Sequence, residues 1–335
     1  MATCCSAALL AMSAGTAVAA PVTERSISGA KLDTGYGLTA GYGYVAWIDD
    51  ERRGSRRIAV RQPDGSTRRA WLPGQLTLSL RRQTDLRTGR PVTRLVTVRR
   101  RPVDGTSSTT LRSPTTLRRT ATEWAPSVQP QAVDGAASVE TAVEPDMTVP
   151  ADPAKAPPSR CVFAVAGVLP AIPPLPDCGA STAVLRGPTL AIRSVAPSGT
   201  SADRDKGQVN ASALSVFSAD HPEVGWRRLA TSRDDYDGRV GLQSFCASDR
   251  GVALLEGESF ETGHPVDTWT LRWVPADPAL PGWTASVPQL DETISYDHGG
   301  AQLACDGQSI YAQYYRPDRS RSRSTSRVVR FVPPR

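Results

Sequence analysis

The sequence has little lysine and little histidine. Lys31, Lys155 and Lys206 are the only lysines among 39 basic residues, and there are three histidines. It contains no G-x-S-x-G elbow, no Walker loop, no H-E-x-x-H helix and no Rossmann fingerprint after a strand, so none of the chemistries those motifs signal is indicated. Metal-ligand cysteine spacing such as C-x-x-C is missing. No segment of useful length has helical periodicity beyond the first twenty residues. No later run reaches the ~20 apolar residues that a spanning helix needs. The formal charge of +6 is modest for 335 residues, so nucleic acid is not an expected partner.

What is present is β-strand patterning. Residues 38–73 hold three short apolar runs: Val45-Ala46-Trp47-Ile48, Ile58-Ala59-Val60 and Ala70-Trp71-Leu72. Between the last two lies Pro63-Asp64-Gly65, where Pro presets φ and Gly tolerates a positive φ. This is one small antiparallel meander, and such a sheet needs neighbours to be stable.

The layout returns three times. Leu303-Ala304-Cys305 matches Leu38-Thr39-Ala40, and Ile310-Tyr311-Ala312 matches Val45-Ala46-Trp47. Another copy opens at Phe245-Cys246-Ala247 and closes on Gly282-Trp283; a fourth runs from Val184 to Gly225-Trp226. Periods of roughly 45–60 residues with four strands each are the signature of propeller blades. The expectation is an all-β chain: a β-propeller of about six four-stranded blades in one domain over residues 20–335. A sandwich with regular turns is the alternative. Trp47, Trp71, Trp226, Trp269 and Trp283 are expected to pack between blades rather than form a sugar platform.

Asp306-Gly307-Gln308-Ser309-Ile310-Tyr311-Ala312 and Asp249-Arg250-Gly251-Val252-Ala253 resemble the S-P-D-G-x-x-I-A-F box of TolB-type and WD40-like β-propellers. Asp64-Gly65 resembles the turn at the end of their repeat. The resemblance covers about two thirds of the chain. It implies the fold, and since such propellers include binding scaffolds and enzymes it does not choose between them.

Residues 1–19 read as an export signal: a small, apolar stretch ending in Ala17-Val18-Ala19. The protein is therefore expected outside the cytoplasm, as an extracellular, cell-wall or periplasmic monomer. Four cysteines follow the leader: Cys161, Cys178, Cys246 and Cys305. An even number in an exported chain suggests disulfides. The simplest pairing is Cys161 with Cys178 and Cys246 with Cys305, although two inner strands can be too far apart for the second bond. Residues 20–32 are a lead-in that can supply the strand closing the ring. Residues 76–98 read as a second blade with an Arg-rich surface. Residues 106–159 are rich in Ser, Thr, Ala, Pro and acids, which points to an irregular, weakly ordered insertion.

In a blade, the loop entering the inner strand and the loop between the middle strands open on one face. The entering loops here share aspartate: Asp33, Asp177, the cluster Asp234, Asp235 and Asp237, and the pair Asp291 and Asp297, with His298 beside the last. On a closed ring these groups form an acidic channel mouth able to hold a cation or a basic group. Asp is also a favoured turn residue for purely local reasons. Asp234-Asp235-Tyr236-Asp237-Gly238 invites a calcium reading, but Arg233 stands where the EF-type loop wants its first Asp; otherwise no cofactor is indicated. Arg319, Arg321 and Arg323 form a basic hairpin loop. The expected function is a non-enzymatic binding or interaction module for an unknown protein or envelope polymer. The alternatives are a glycan-acting enzyme using mouth carboxylates and a structural envelope protein.

Overall fold

Leu76, Leu78 and Leu80 are buried while Thr77 and Ser79 face solvent. That two-residue period makes a half-buried strand, and it recurs around the molecule. The computed structural model describes residues 23–28, 37–74, 76–85, 87–100, 107–125, 132–134, 137–143, 161–166, 172–173, 180–197, 210–233, 242–258, 268–287, 301–317 and 324–332.

Blade one is a meander of β2 (Leu38–Gly41), β3 (Tyr44–Arg52), β4 (Ser55–Arg61) and β5 (Thr67–Pro73). Blade two follows with β6 (Leu76–Thr84), β7 (Pro91–Arg100), β8 (Ser107–Arg112) and β9 (Arg119–Ala125). A three-stranded sheet comes next: β10 (Ala132–Asp134), β11 (Ala137–Val143) and β12 (Cys161–Ala166). Blade three is β13 (Ala180–Arg186), β14 (Thr189–Pro197), β15 (Asn210–Ser218) and β16 (Arg227–Arg233). Blade four is β17 (Leu242–Ser248), β18 (Gly251–Glu258), β19 (Thr268–Pro275) and β20 (Trp283–Ser286). Blade five joins β21 (Gln302–Asp306), β22 (Ser309–Pro317) and β23 (Ser324–Val332) to the N-terminal β1 (Thr23–Ser26).

The chain is thus an all-β propeller of five four-stranded blades, rather than the expected six or so. The difference lies between blades two and three, where the described sheet has three strands. The first strands of consecutive sheets touch in turn, β2 to β6, β10, β13, β17, β21 and back to β2, which closes the ring.

Residues 107–125 lie inside the segment read as irregular from composition, yet they supply β8 and β9. Thr is β-branched and suits a pleated ladder. Its hydroxyls also find acceptors: Thr97 Oγ1 donates to Thr110 O at 3.3 Å and Thr120 Oγ1 to Leu111 O at 3.0 Å. Residues 144–160 lie outside the described residues.

The core sits between blades. Leu80 and Leu95 of blade two pack with Ile48, Ile58 and Val60 of blade one. Trp269 and Trp273 of blade four pack with Tyr314 and Phe331 of blade five. Burying each such side chain stabilises the fold by about 1.5–3 kcal/mol. Trp47 and Trp269 are buried as expected, whereas Trp71 stays 39% exposed. It sits on the outermost strand of blade one, where no next blade covers it, and the Arg52 guanidinium stacks 4.7 Å from its ring centroid.

Ring closure uses the first strand. Thr23, Glu24, Arg25 and Ser26 pair antiparallel with Val332, Phe331, Arg330 and Val329. The Tyr314 hydroxyl donates to the Glu24 carboxylate, and Val328 N–H donates to Ser28 Oγ at 2.9 Å. The lead-in is therefore the closing strand. Blades one and five are clamped further by Gln302, whose amide oxygen accepts from Leu38 N–H at 3.0 Å while its amide nitrogen donates to Leu38 O at 3.2 Å. Among the described residues no helix is long and apolar enough to cross a membrane.

Candidate ligand mouth

Four of the hairpins leaving the inner strands have two-residue turns. Their flanking pairs are Gly41 with Tyr44, Arg186 with Thr189, Ser248 with Gly251, and Asp306 with Ser309. Two-residue turns are tight, so their tips stay close to the ring axis. In the first turn Tyr42 and Gly43 have φ of 57° and 83°, as a type I′ turn requires. A tyrosine in that conformation is uncommon. Its ring packs against the cluster between blades one and two, and the Arg82 guanidinium lies 5.9 Å from the ring centroid.

These turns converge on one cavity of ≈ 540 Å³. Tyr42, Arg82, Arg186, Ser248, Asp249 and Asp306 line it. Two carboxylates and two guanidinium groups therefore share one mouth. Gly43 N–H donates to Asp306 Oδ2 at 2.8 Å, a bond from blade one to blade five. Ser248 Oγ donates to Gly307 O at 2.6 Å, from blade four to blade five. Each bond ties neighbouring turn tips together, so the rim is held rather than loose.

Burial pushes the Asp306 carboxyl above the ordinary carboxylate range. The Gly43 hydrogen bond opposes that rise, the nearby Asp249 charge adds to it, and Arg186 opposes it. Beside it, Cys305 is disulfide-bonded to Cys246, with Cα atoms 5.5 Å apart. Adjacent inner strands are thus close enough for the bond, and the Cys246–Cys305 expectation holds. The pairing of Cys161 with Cys178 lies outside the described residues.

The acidic mouth expected from sequence belongs to the loops that enter the inner strands, not to the turns that leave them. Asp33, Asp177, Asp234, Asp235, Asp237, Asp291, Asp297 and His298 all lie outside the described residues, as does the calcium-like loop. Among the described residues no cluster of His, Cys, Asp or Glu is placed to hold a metal ion. The cavity is instead lined by the turns the sequence marks as short and Gly-bearing. Sequence reasoning used Asp306 and Asp249 only as turn markers. The signal that finds them is their place: each occupies a tight turn at the end of an inner strand, and such tips meet once the ring closes.

No family model matches the chain, and no curated protein matches it. Several solved structures resemble it weakly. An uncharacterised protein from Listeria monocytogenes is 7% identical with a TM-score of 0.35, over 88% of this chain and 77% of that one. The β-propeller domain of the Trilobed protease from Pyrococcus furiosus, described as having an open velcro topology, is 9% identical with a TM-score of 0.35, over 85% and 79%. The acylaminoacyl peptidase of Pyrococcus horikoshii is 9% identical with a TM-score of 0.37; 88% of this chain covers 45% of it. At these scores the likenesses carry no argument about activity. The propeller is read from this chain's own strand pairing and ring contacts.

Proposed function

We propose that the protein is an exported, non-enzymatic β-propeller that binds a ligand bearing both a cationic and an anionic group, such as a peptide segment. One observation carries this reading: four hairpin tips from different blades meet at a cavity holding Asp249 and Asp306 beside Arg82 and Arg186. A cavity of this size fits a small ligand or a protruding side-chain pair. The Cys246–Cys305 bond supports export, since such bonds persist in oxidising compartments. The turn boxes at Asp249 and Asp306 support kinship with TolB-type and WD40-like propellers, as a monomer.

A second reading, a glycan-acting enzyme, has one observation in its favour. Asp306 is raised by burial and faces the charge of Asp249, and a raised acid beside a second carboxylate is what glycoside hydrolysis uses.

The test is a thermal-shift and product screen on parent protein, Asp249→Asn/Asp306→Asn and Arg82→Gln/Arg186→Gln. Lysyl-glutamate peptides are expected to raise the parent Tm and neither variant's, because ligand binding stabilises the folded state. Equal shifts in all three proteins, or none in the parent, would sink the mouth as a site. Release of reducing ends from an oligosaccharide by the parent, lost in Asp306→Asn, would select the enzyme instead.

A further inference from the structure

The chain's positive charge is not spread evenly. Residues 76–125, which form blade two, hold eleven arginines and three acidic residues, a net of +8 against +6 for the whole protein. The remainder of the chain is therefore net negative. Nine of those arginines have described side chains, and Arg94 alone among them makes an ion pair with a described residue, to Asp85 at 3.8 Å. Asp85 is also engaged by its own turn, accepting from Arg87 N–H at 2.9 Å and Thr88 N–H at 3.2 Å.

The placement is one-sided. Arg81 and Arg82 lie towards the end of β6, Arg94 near the start of β7, Arg112 at the end of β8 and Arg119 at the start of β9. Arg87 and Arg90 are in the turn between β6 and β7, and Arg118 is in the turn between β8 and β9. All these positions fall at the end of the blade that carries the mouth. Arg82 itself lines the cavity.

Two arginine pairs stand directly opposite across strands: Arg81 with Arg94, and Arg112 with Arg119. Like charges so placed destabilise a sheet. The Arg112 guanidinium is lowered by burial first and by the Arg119 charge second. Among the described residues this crowding is offset within blade two only by the Asp85 carboxylate beside Arg94, at 3.8 Å, and by Leu117 O, which accepts from Arg112 at 3.1 Å. The row of Leu80, Leu95 and Arg112 shares one sheet face, so the Arg81–Arg94 pair is on the other. The turn arginines lie on the edge between them, and the basic groups wrap that edge.

We propose that the mouth-side edge of blade two docks a flexible chain of repeated phosphate groups. A phosphate chain carries a charge on every unit, with two non-bridging oxygens that match a guanidinium fork, so successive phosphates can each meet an arginine around the edge. Stacking of bases is not part of the design: at the mouth-side end of blade two, residues 80–95 and 110–120 contain no aromatic residue, Trp124 standing towards the other end of β9, and sequence-tolerant nucleic-acid grooves depend on aromatics. The edge meets the cavity at Arg82, and its other arginines lie outside the cavity lining, so the proposal does not depend on what the cavity takes.

The experiment measures inorganic polyphosphate binding across a salt series. Arg87, Arg90, Arg118 and Arg119 are exposed, so replacing all four by Gln leaves the core untouched. The parent is expected to bind, and the quadruple variant to bind about tenfold more weakly at ~50 mM salt, with a salt slope lower by about 2–3. A control removes three exposed arginines elsewhere, R52Q, R53Q and R228Q, none of which stands opposite another of the three, and should bind within about twofold of the parent. Equal weakening in the control, no binding by the parent, tighter binding of poly-glutamate, or single-stranded DNA held about tenfold more tightly than polyphosphate would each overturn the proposal. The Asp249→Asn/Asp306→Asn protein should bind polyphosphate like the parent, which separates failure of the edge from failure of the cavity.

Discussion

Asp306 connects two blades and faces the cavity, so its ionisation bears on both stability and binding. Its folded-state carboxyl is raised above 3.8, with burial as the main cause. A raised acid contributes stability that is fully present below its unfolded pKa and is lost as pH rises through the folded one. Glu256, raised by burial against the opposing Arg272 charge, has the same sign. Asp64 and Asp85 have the opposite sign, held low by hydrogen bonds from Ser66 and from Arg87 and Thr88. Asp306→Asn keeps an acceptor for Gly43 N–H and removes the charge. Its Tm relative to the parent should therefore climb from about pH 4 to about pH 7; a flat difference in calorimetry across that range would refute this. Asp49 is the contrasting case. Its side chain is 6% exposed and is satisfied by Arg57 at 2.9 Å, Arg69 at 3.0 Å and the Trp47 indole at 3.2 Å. Asp49→Ala leaves the buried indole N–H unpaired and should cost about 1–3 kcal/mol in denaturant titration. Neither role is legible in sequence. Asp49 stands in a run of Asp-Asp-Glu that reads as solvated, and only the register places it inward. Asp306 reads as a turn marker, and only ring closure buries it.

At the scale of the element, strand positions were largely legible. Apolar triplets and Gly-bearing turns identify blades one, three, four and five, because period-two burial and tight turns leave local marks. Blade two was half legible. β6 and β7 follow from Leu and Val alternation, while β8 and β9 are carried by Thr, Ser and Arg, whose composition resembles a disordered tract. The net charge hid the basic edge for a related reason: an acidic remainder averages it away. The Cys246–Cys305 bond links the inner strands of blades four and five across a separation of 59 residues. On the loop-entropy view, closing such a loop stabilises the fold by about 4 kcal/mol. Cys246→Ser/Cys305→Ser should lower the denaturation free energy by an amount of that order. Reductant should then lower the Tm of the parent more than that of the double variant. An equal response would show that this bond contributes little.

The whole molecule is a ring closed by pairing rather than by a covalent bond. The closing strand has four residues, so most of what holds blade five to blade one lies elsewhere, in Gln302, Asp306 and the cluster of Leu38, Trp47 and Val328. Removing residues 1–28 should therefore weaken the ring without unmaking the blades. The expected result is a lower Tm with an unchanged β-sheet circular dichroism signal, together with concentration-dependent association through the uncovered edge of β23. The pairing has a mechanical side. Thr23 sits opposite Val332, and Ser26 opposite Val329. A load applied at residues 23 and 332 therefore pulls on the two members of one terminal pair. It peels the latch apart one rung at a time, like opening a zip. A load applied at residues 26 and 332 instead pulls the two strands along each other and strains every rung together. In single-molecule pulling the first geometry should open at a markedly lower force than the second, so the direction of pull decides how strong the closure is.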